Sequence, residues 1–264
     1  MQPDVSASHI PHIQQALQFA IEQQQINLVY QGQNAFPSQK LVGFEALCRI
    51  TAGPWGEISP EQFIPVAEQT GLIAPLERLV FSQLARDLPL LIGRYPSIRV
   101  GVNLSIRHMA EPDFLSFIDR WLKELPKPLI EHLNFEITET YFQRISQTVI
   151  DGLHALRARG IRIVMDDFGS GQSSLARLHK LPFDVLKLDR QFIQQIDHPM
   201  VYAIVKAVVA LTREFGIELI AEGVETAEQC KALEALNCQF VQGFFFSRPQ
   251  ALTHWLSLQN VPTL

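Results

Sequence analysis

Apolar residues near the start of the chain recur at helical spacing. Ile13, Ala16, Leu17, Ala20 and Ile21 predict a leading helix from Ile10 to about Gln25. Beyond it, short runs rich in β-branched and aromatic residues alternate with amphipathic stretches. The strand candidates are Leu28–Gln31, Leu41–Leu47, Arg99–Leu104, Leu133–Thr138, Arg162–Asp166, Val185–Leu188, Glu218–Ala221 and Phe240–Gly243. Helical candidates lie between them at Pro60–Glu68, Pro75–Leu88, Phe114–Leu125, Thr148–Arg159, Val201–Phe215 and Ala227–Leu236. No Pro/Gly/Ser-rich linker interrupts the series, so the pattern predicts one α/β domain with a largely parallel sheet.

One junction departs from the alternation. Only about nine residues separate Leu28–Gln31 from Leu41–Leu47, fewer than the ~10–12 that a parallel crossover needs, so these two strands should run antiparallel. The length of 264 residues suits a single (β/α)₈ barrel, which needs roughly 250. The expected architecture is therefore a modified, TIM-like (β/α)₈ barrel with an antiparallel first strand. It divides into a leading helical segment at 1–25, a barrel core at 28–249 and a C-terminal tail at 250–264.

Composition narrows the function classes. A net charge of −5 argues against a nucleic-acid polymer gripped through a basic surface, but leaves room for a small anion whose charge is met by a metal ion. Cys48, Cys230 and Cys238 are odd in number and lack C-x-x-C spacing, which predicts reduced thiols rather than a disulfide framework or zinc knuckle. His9 and His12 stand close together, but without an H-E-x-x-H pattern they read as polar residues near a helix start. No apolar run approaches the ~18 residues of a membrane span and nothing resembles a signal peptide, so a cytoplasmic chain without its own membrane anchor is expected.

The candidate chemistry sits at the strand ends. Glu45, Asn103, Glu136, Asp166 with Asp167, Lys187, Glu222 and Gln242 each fall near the carboxyl end of a different predicted strand. One such residue usually marks only the start of a solvated loop. Seven strands with one each make that explanation fail, because closing the sheet brings them onto the rim where barrel enzymes build their sites. Five carboxylates would then share a pocket with only Lys187 as cation, a conflict that protonation or hard divalent cations would relieve. Metal-assisted hydrolysis of a phosphate ester suits such a site. The turn Asp167-Phe-Gly-Ser-Gly171 permits close approach of a ligand, but it matches no phosphate-loop pattern.

These residues resemble a known family, the EAL-domain phosphodiesterases specific for cyclic di-GMP. Glu45-Ala-Leu-Cys-Arg49 reproduces the naming motif. Asn103-Leu-Ser105, Glu136-Ile-Thr-Glu139, Asp166-Asp-Phe-Gly-Ser-Gly171, Leu186-Lys-Leu-Asp189, Ala221-Glu-Gly-Val-Glu225 and Gln242-Gly243 through Ser247-Arg-Pro249 follow in family order. Phe63-Ile-Pro-Val-Ala-Glu68 and Gly71-Leu-Ile73 match as well, so the resemblance runs from about Leu28 to Pro249.

The resemblance implies a metal-dependent hydrolase that converts cyclic di-GMP to linear pGpG with two Mg²⁺ or Mn²⁺ ions, whereas Ca²⁺ should bind without supporting turnover. It implies that Glu45, Asn103, Glu136 and Asp166 hold one ion and that Asp166 and Asp167 hold the other. Lys187 matches the lysine contacting the attacking water, Glu222 and Gln242 the groups supporting the metal and water cluster, and Glu139 the acid that holds the loop after Asp167. Gln31, Glu45, Leu47, Arg49 and Asp189 fall where family members contact the nucleotide. Carboxylates around Lys187 would raise its pKa, favouring orientation of the water over removal of its proton.

Two departures stand out: Gly32 where the family usually has proline, which would loosen the backbone after Gln31, and Ser170 for threonine. Homodimerisation through helices near the Asp167 loop and a regulatory domain beyond this chain are compatible with the resemblance. Two other readings remain. A receptor that binds cyclic di-GMP without cutting it would usually lack a ligand, and none is missing here. An aldolase with Lys187 as Schiff base would not need five acids around it.

Overall fold

The computed structural model describes residues 10–139, 145–169 and 182–258. The amphipathic leader forms α1 (Ile10–Glu22), burying Ile13, Ala16, Leu17 and Ala20. It ends short of the predicted Gln25, where Gln24 takes a left-handed φ of 53°. Eight strands then close into a barrel: β1 (Ile26–Ala35), β2 (Leu41–Thr51), β4 (Arg99–Asn103), β5 (Leu133–Thr138), β6 (Arg162–Phe168), β7 (Val185–Leu188), β8 (Glu218–Glu222) and β9 (Phe240–Gln242). Neighbours from β2 through β9 run parallel, and β1 closes the circle antiparallel to both β2 and β9. The reversed first strand is thus observed.

Two short strands sit at the margins. β3 (Glu57–Ile58) pairs antiparallel with the end of β2, and β10 (Gln250–Ala251) pairs antiparallel with β1. Behind β10 the helix Leu252–Ser257 buries Trp255, whose Nε1 donates to the Tyr30 carbonyl at 2.9 Å. Residues 250–257 therefore pack back onto β1.

Several boundaries moved outward. β1 continues through Gln33 and Asn34, which the sequence reading placed in the connection; both are buried polar residues, so apolar alternation does not mark them. The helix predicted over Pro75–Leu88 runs from Ile73 to Arg94, carrying Pro89 inside it. We label it α3, following α2 (Pro60–Thr70).

Outward strand residues and inward helix faces make one continuous core. Inside the barrel a separate small cluster forms from Val164, Val185 and Ile220, with Phe240 packed against it. Each lies two residues before a polar strand-end residue, on the same strand face. On that side the barrel interior is thus an apolar plug beneath a polar layer. No helix among the described residues is long and apolar enough to cross a membrane.

Candidate active site

Strand register assembles the polar layer. Gln31 pairs with Glu45, Asn103 with Glu136, and Glu222 with Gln242. Lys187 pairs with Ile220, two residues below Glu222, so its long side chain rises into the acids from the plug. Its Nζ lies 2.7 Å from Glu136, 2.8 Å from Glu222, 3.1 Å from Glu45 and 3.2 Å from Asp166. Consecutive strand residues normally face opposite ways, yet Asp166 and Asp167 both serve this layer. The reason is local: the β6–β7 register shifts between Met165 and Phe168, and Asp167 takes a left-handed φ of 57°. A bulge of this kind re-aims a side chain at a barrel rim.

The electrostatics follow from gathering three buried carboxylates and two half-buried ones, Asp167 and Glu222, around one ammonium. Burial opposes the charge on Lys187, but Asp166, Glu136, Glu222 and Glu45 together hold its pKa well above the usual lysine value. Burial also drives the acids up: Glu136 to about 8 and Asp167 to about 7, with Asp166 and Glu222 raised as well. Glu45 is the exception. Burial pushes it up too, yet Lys187, Gln242 and Asn103 outweigh this and hold it below the ordinary value. Its Oε2 accepts from Gln242 Nε2 at 2.6 Å and from Lys187, and its Oε1 from Asn103 Nδ2 at 3.1 Å.

The donor set fits hard divalent cations. Glu45, Glu136 and Asp166 each bring an oxygen within 4.8 Å of the others, and Asp166, Asp167 and Glu222 do the same. Asp166 belongs to both groups. Among the described residues the buried Glu136 Oε1 has no hydrogen-bond partner, an arrangement a bound cation would satisfy. All donors are oxygens, which suits Mg²⁺, Mn²⁺ or Ca²⁺ and not a thiophilic metal.

Around this layer the other expected residues take distinct places. Glu139 Oε2 accepts from the Gly169 N–H at 2.7 Å, and Gly169 has a left-handed φ of 93° with Phe192 packed against it. Ser170 and Gly171 lie outside the described residues. Gln31 Nε2 donates to the Ser247 carbonyl at 3.1 Å, and Ser247 Oγ accepts from the Gly32 N–H at 3.2 Å. Gly32, expected to loosen the chain, is thus tied inside β1. Leu47 lines a cavity of about 200 Å³ with Phe63, Glu68, Val102, Asn103 and Glu136. Asp189 is buried and accepts from the Gln191 N–H at the start of a short helix. Arg49 donates to the Cys48 carbonyl, outside the hydrogen-bond network of the acids.

Sequence reasoning missed several supporting residues. Gln33 Nε2 donates to Gln242 Oε1 at 3.0 Å. Glu77 Oε1 accepts from the Ser105 N–H at 2.6 Å, and its Oε2 meets His108 Nδ1 at 2.7 Å. Gly43 and Gly101 lie beneath Gln33 and Glu136 and leave room for them. A usable signal existed for the glycines, since each stands two residues before a polar strand-end residue, Glu45 or Asn103. Glu77 and His108 carry no comparable signal.

Comparison with known proteins agrees with this fold. A sequence model described as the EAL domain matches residues 14–249. The bifunctional diguanylate cyclase/cyclic di-GMP phosphodiesterase MucR of Pseudomonas aeruginosa is 38% identical over 236 residues, covering 88% of this chain and 34% of MucR. The chain spans about a third of the length of the first curated relatives it matches. A structure of the PaMucR phosphodiesterase in complex with c-di-GMP superposes with a TM-score of 0.84 at 35% identity, covering 92% of this chain and 99% of that one. The EAL enzyme Bd1971 with cAMP and cyclic-di-GMP bound gives a TM-score of 0.87 at 29% identity, over 96% of this chain and 69% of that one.

Proposed function

The chain belongs to the EAL domain family, and from that premise we propose that it hydrolyses cyclic di-GMP to linear pGpG with two bound Mg²⁺ or Mn²⁺ ions. The observation that carries the reading is Asp166, common to two oxygen-only groups at one barrel mouth. Glu45, Asn103, Glu136 and Asp166 would hold one ion; Asp166 and Asp167, with Glu222 beside them, would hold the other. When bound, the ions would lower the pKa of a water and neutralise charge developing on the phosphate.

The chain's own groups do the rest. Lys187, kept as an ammonium by its four carboxylate neighbours, orients the attacking water by donating to it or repelling its protons, and does not act as a base. The water gives up a proton to solvent, its oxygen bonds to phosphorus as the P–O3′ bond breaks, and the departing 3′-oxygen takes a proton back from solvent to give the free hydroxyl of pGpG. Gln242 and Asn103 keep Glu45 ionised and aimed, and Glu139 holds the turn after Asp167 through Gly169. Gln31, Leu47, Arg49 and Asp189 serve the nucleotide; a guanidinium such as that of Arg49 can hold a phosphate oxygen pair in a fork. Ca²⁺ would bind but support chemistry poorly, because it tolerates looser geometry than Mg²⁺.

Three free cysteines and a guanine-dinucleotide substrate support a cytoplasmic setting. Relatives about three times as long support a regulatory domain beyond this chain, and homodimerisation is part of the same proposal.

The test is to incubate the protein with cyclic di-GMP and follow the nucleotide by chromatography. Conversion to pGpG with Mg²⁺ or Mn²⁺, blocked by chelator and absent with Ca²⁺, is expected. Glu45→Ala and Asp166→Asn should abolish it. Tight binding without turnover in either ion would overturn the enzyme reading in favour of a receptor.

A further inference from the structure

Resting on the reading of Glu45 as a cation ligand, we propose that Gln33 is a positioning residue that fixes the Gln242 amide on Glu45 and so presets the first cation site. A carboxylate only accepts hydrogen bonds, so Gln242 must face Glu45 with its N–H₂ group, and at 2.6 Å it does. The carbonyl end of the same amide must then find a donor in a buried place, since Gln242 is only 4% exposed. Gln33 Nε2 supplies it at 3.0 Å. The second N–H of Gln242 reaches Gln31 Oε1 at 3.3 Å, and Gln31 is anchored in turn on the Ser247 carbonyl. Three amides thus form a directed chain whose sense is set by the carboxylate at one end. Reversing any one of them would put two acceptors together.

The backbone is built around Gln33. It stands directly opposite Gln242 across the β1–β9 ladder and opposite Gly43 across β1–β2. A Cβ on Gly43 would lie 2.7 Å from Gln33 Oε1 and 3.1 Å from the Arg99 carbonyl oxygen, so Gln33 is the group it meets first. Gly43 has no left-handed φ, so the glycine is needed there for space and not for backbone conformation. Gln33 is itself 4% exposed and lies over that gap. A buried glutamine satisfied by chance would need no such hollow and no alignment with the one amide that touches Glu45.

The experiment is Mn²⁺ binding, read by calorimetry or by the signal of free Mn²⁺, with thermal melts in parallel. Unsubstituted protein is measured first; if it does not bind Mn²⁺, the metal reading itself fails and Gln33 is not at issue. If it binds, Gln33→Met, of similar length but without the donor, should weaken Mn²⁺ affinity roughly fivefold to tenfold, the scale of one buried polar group left unpaired. The gain in Tm on adding Mn²⁺ should shrink with it. Gln33→Met combined with Gln242→Met should bind no more weakly than Gln242→Met alone, because Gln33 acts through that amide. Gly43→Ala, which pushes Gln33 aside from the other strand, should reproduce the loss and keeps the test available if Gln33→Met does not fold. Unchanged Mn²⁺ affinity in both single variants would overturn the proposal. So would losses that add independently in the double variant, or a lowered Tm with the Mn²⁺ response intact.

Discussion

The two halves of the barrel interior support the same polar layer by different means. Under Asp166, Lys187, Glu222 and Gln242 the inward positions two residues earlier are Val164, Val185, Ile220 and Phe240, which pack together. Under Glu45 and Asn103 the matching positions are Gly43 and Gly101, and long polar side chains from neighbouring strands lie across them. One half rests on van der Waals contact and the other on hydrogen bonds and charge. Packing holds a side chain whatever its protonation state, whereas a hydrogen-bonded half depends on which groups are charged. Changes to the support beneath the polar layer should therefore act more on cation affinity in the glycine half and more on stability in the filled half.

Gly101 offers the largest break of this comparison. A Cβ there would lie 1.8 Å from Glu136 Oε1 and 2.7 Å from its carboxylate carbon, so the buried Glu136 side chain would have to move. Gly101→Ala should cut Mn²⁺ affinity and turnover at least ~100-fold, about 3 kcal/mol of lost site geometry, similar to deleting a buried charged partner. Ile220→Ala in the filled half should instead lower stability by about 2–4 kcal/mol through the cavity it leaves, with Mn²⁺ affinity changed only a few-fold. Thermal melts and Mn²⁺ titrations on both variants check the division; a Gly101→Ala protein that binds Mn²⁺ normally would end it.

Proton competition sharpens the same contrast. Glu136 and Asp167 are pushed up to about 8 and about 7, so the folded chain takes up protons that the unfolded chain releases at ordinary carboxylate values. A raised folded-state pKa contributes stability that is present below the unfolded value and is lost as pH climbs through the folded one. Chelator-treated protein should therefore lose stability between about pH 4.5 and pH 8. Saturating Mn²⁺, which competes with those protons, should flatten that slope, and Mn²⁺ affinity should rise across the same window. Melting temperatures measured at several pH values with and without Mn²⁺ give both slopes directly.

A smaller effect is expected at Glu139, which belongs to neither half and acts through the Gly169 N–H. Glu139→Ala should weaken Mn²⁺ binding about threefold to tenfold, the worth of one charge-assisted hydrogen bond transmitted through a turn. Glu139→Gln, which keeps an acceptor, should recover most of it. Equal, unaltered affinities in both variants would remove the loop-holding role.

What the sequence disclosed, and what it hid, divides along the same line. The strand-end acids were legible because each terminates an apolar run, and one polar residue per strand is meaningful once the sheet closes. The reversed first strand was legible from connection length alone. Gln33 and Asn34 were not, because a strand that lines a polar interior loses the apolar alternation by which strands are found, and two amides in a row look like a turn. Asp166-Asp167 read as a pair, but only the bulge and the left-handed Asp167 turn both carboxylates the same way. Glu77 and His108 lie 31 residues apart on separate helices, where no spacing rule joins them.

That last pair provides the smallest predicted change in cation affinity and the most stringent check on the division. Glu77 and His108 are both buried, and burial pushes the Glu77 carboxyl up against the pull of His108 and of the Ser105 N–H. Through Ser105 the carboxylate holds the backbone two residues beyond Asn103, and Ser105 Oγ also donates to Glu68 at 2.8 Å. Glu77→Leu would strand a buried N–H and an imidazole, costing about 2–4 kcal/mol of stability. Asn103 itself remains tied to Glu45, so Mn²⁺ affinity should move less than about threefold, well short of the change a lost buried ligand produces. Glu77→Gln preserves an acceptor for Ser105 and should recover roughly half of the stability. A Glu77→Leu protein that melts normally but binds Mn²⁺ as poorly as Gly101→Ala would mean that the supports of the glycine half reach through α3, beyond the barrel wall.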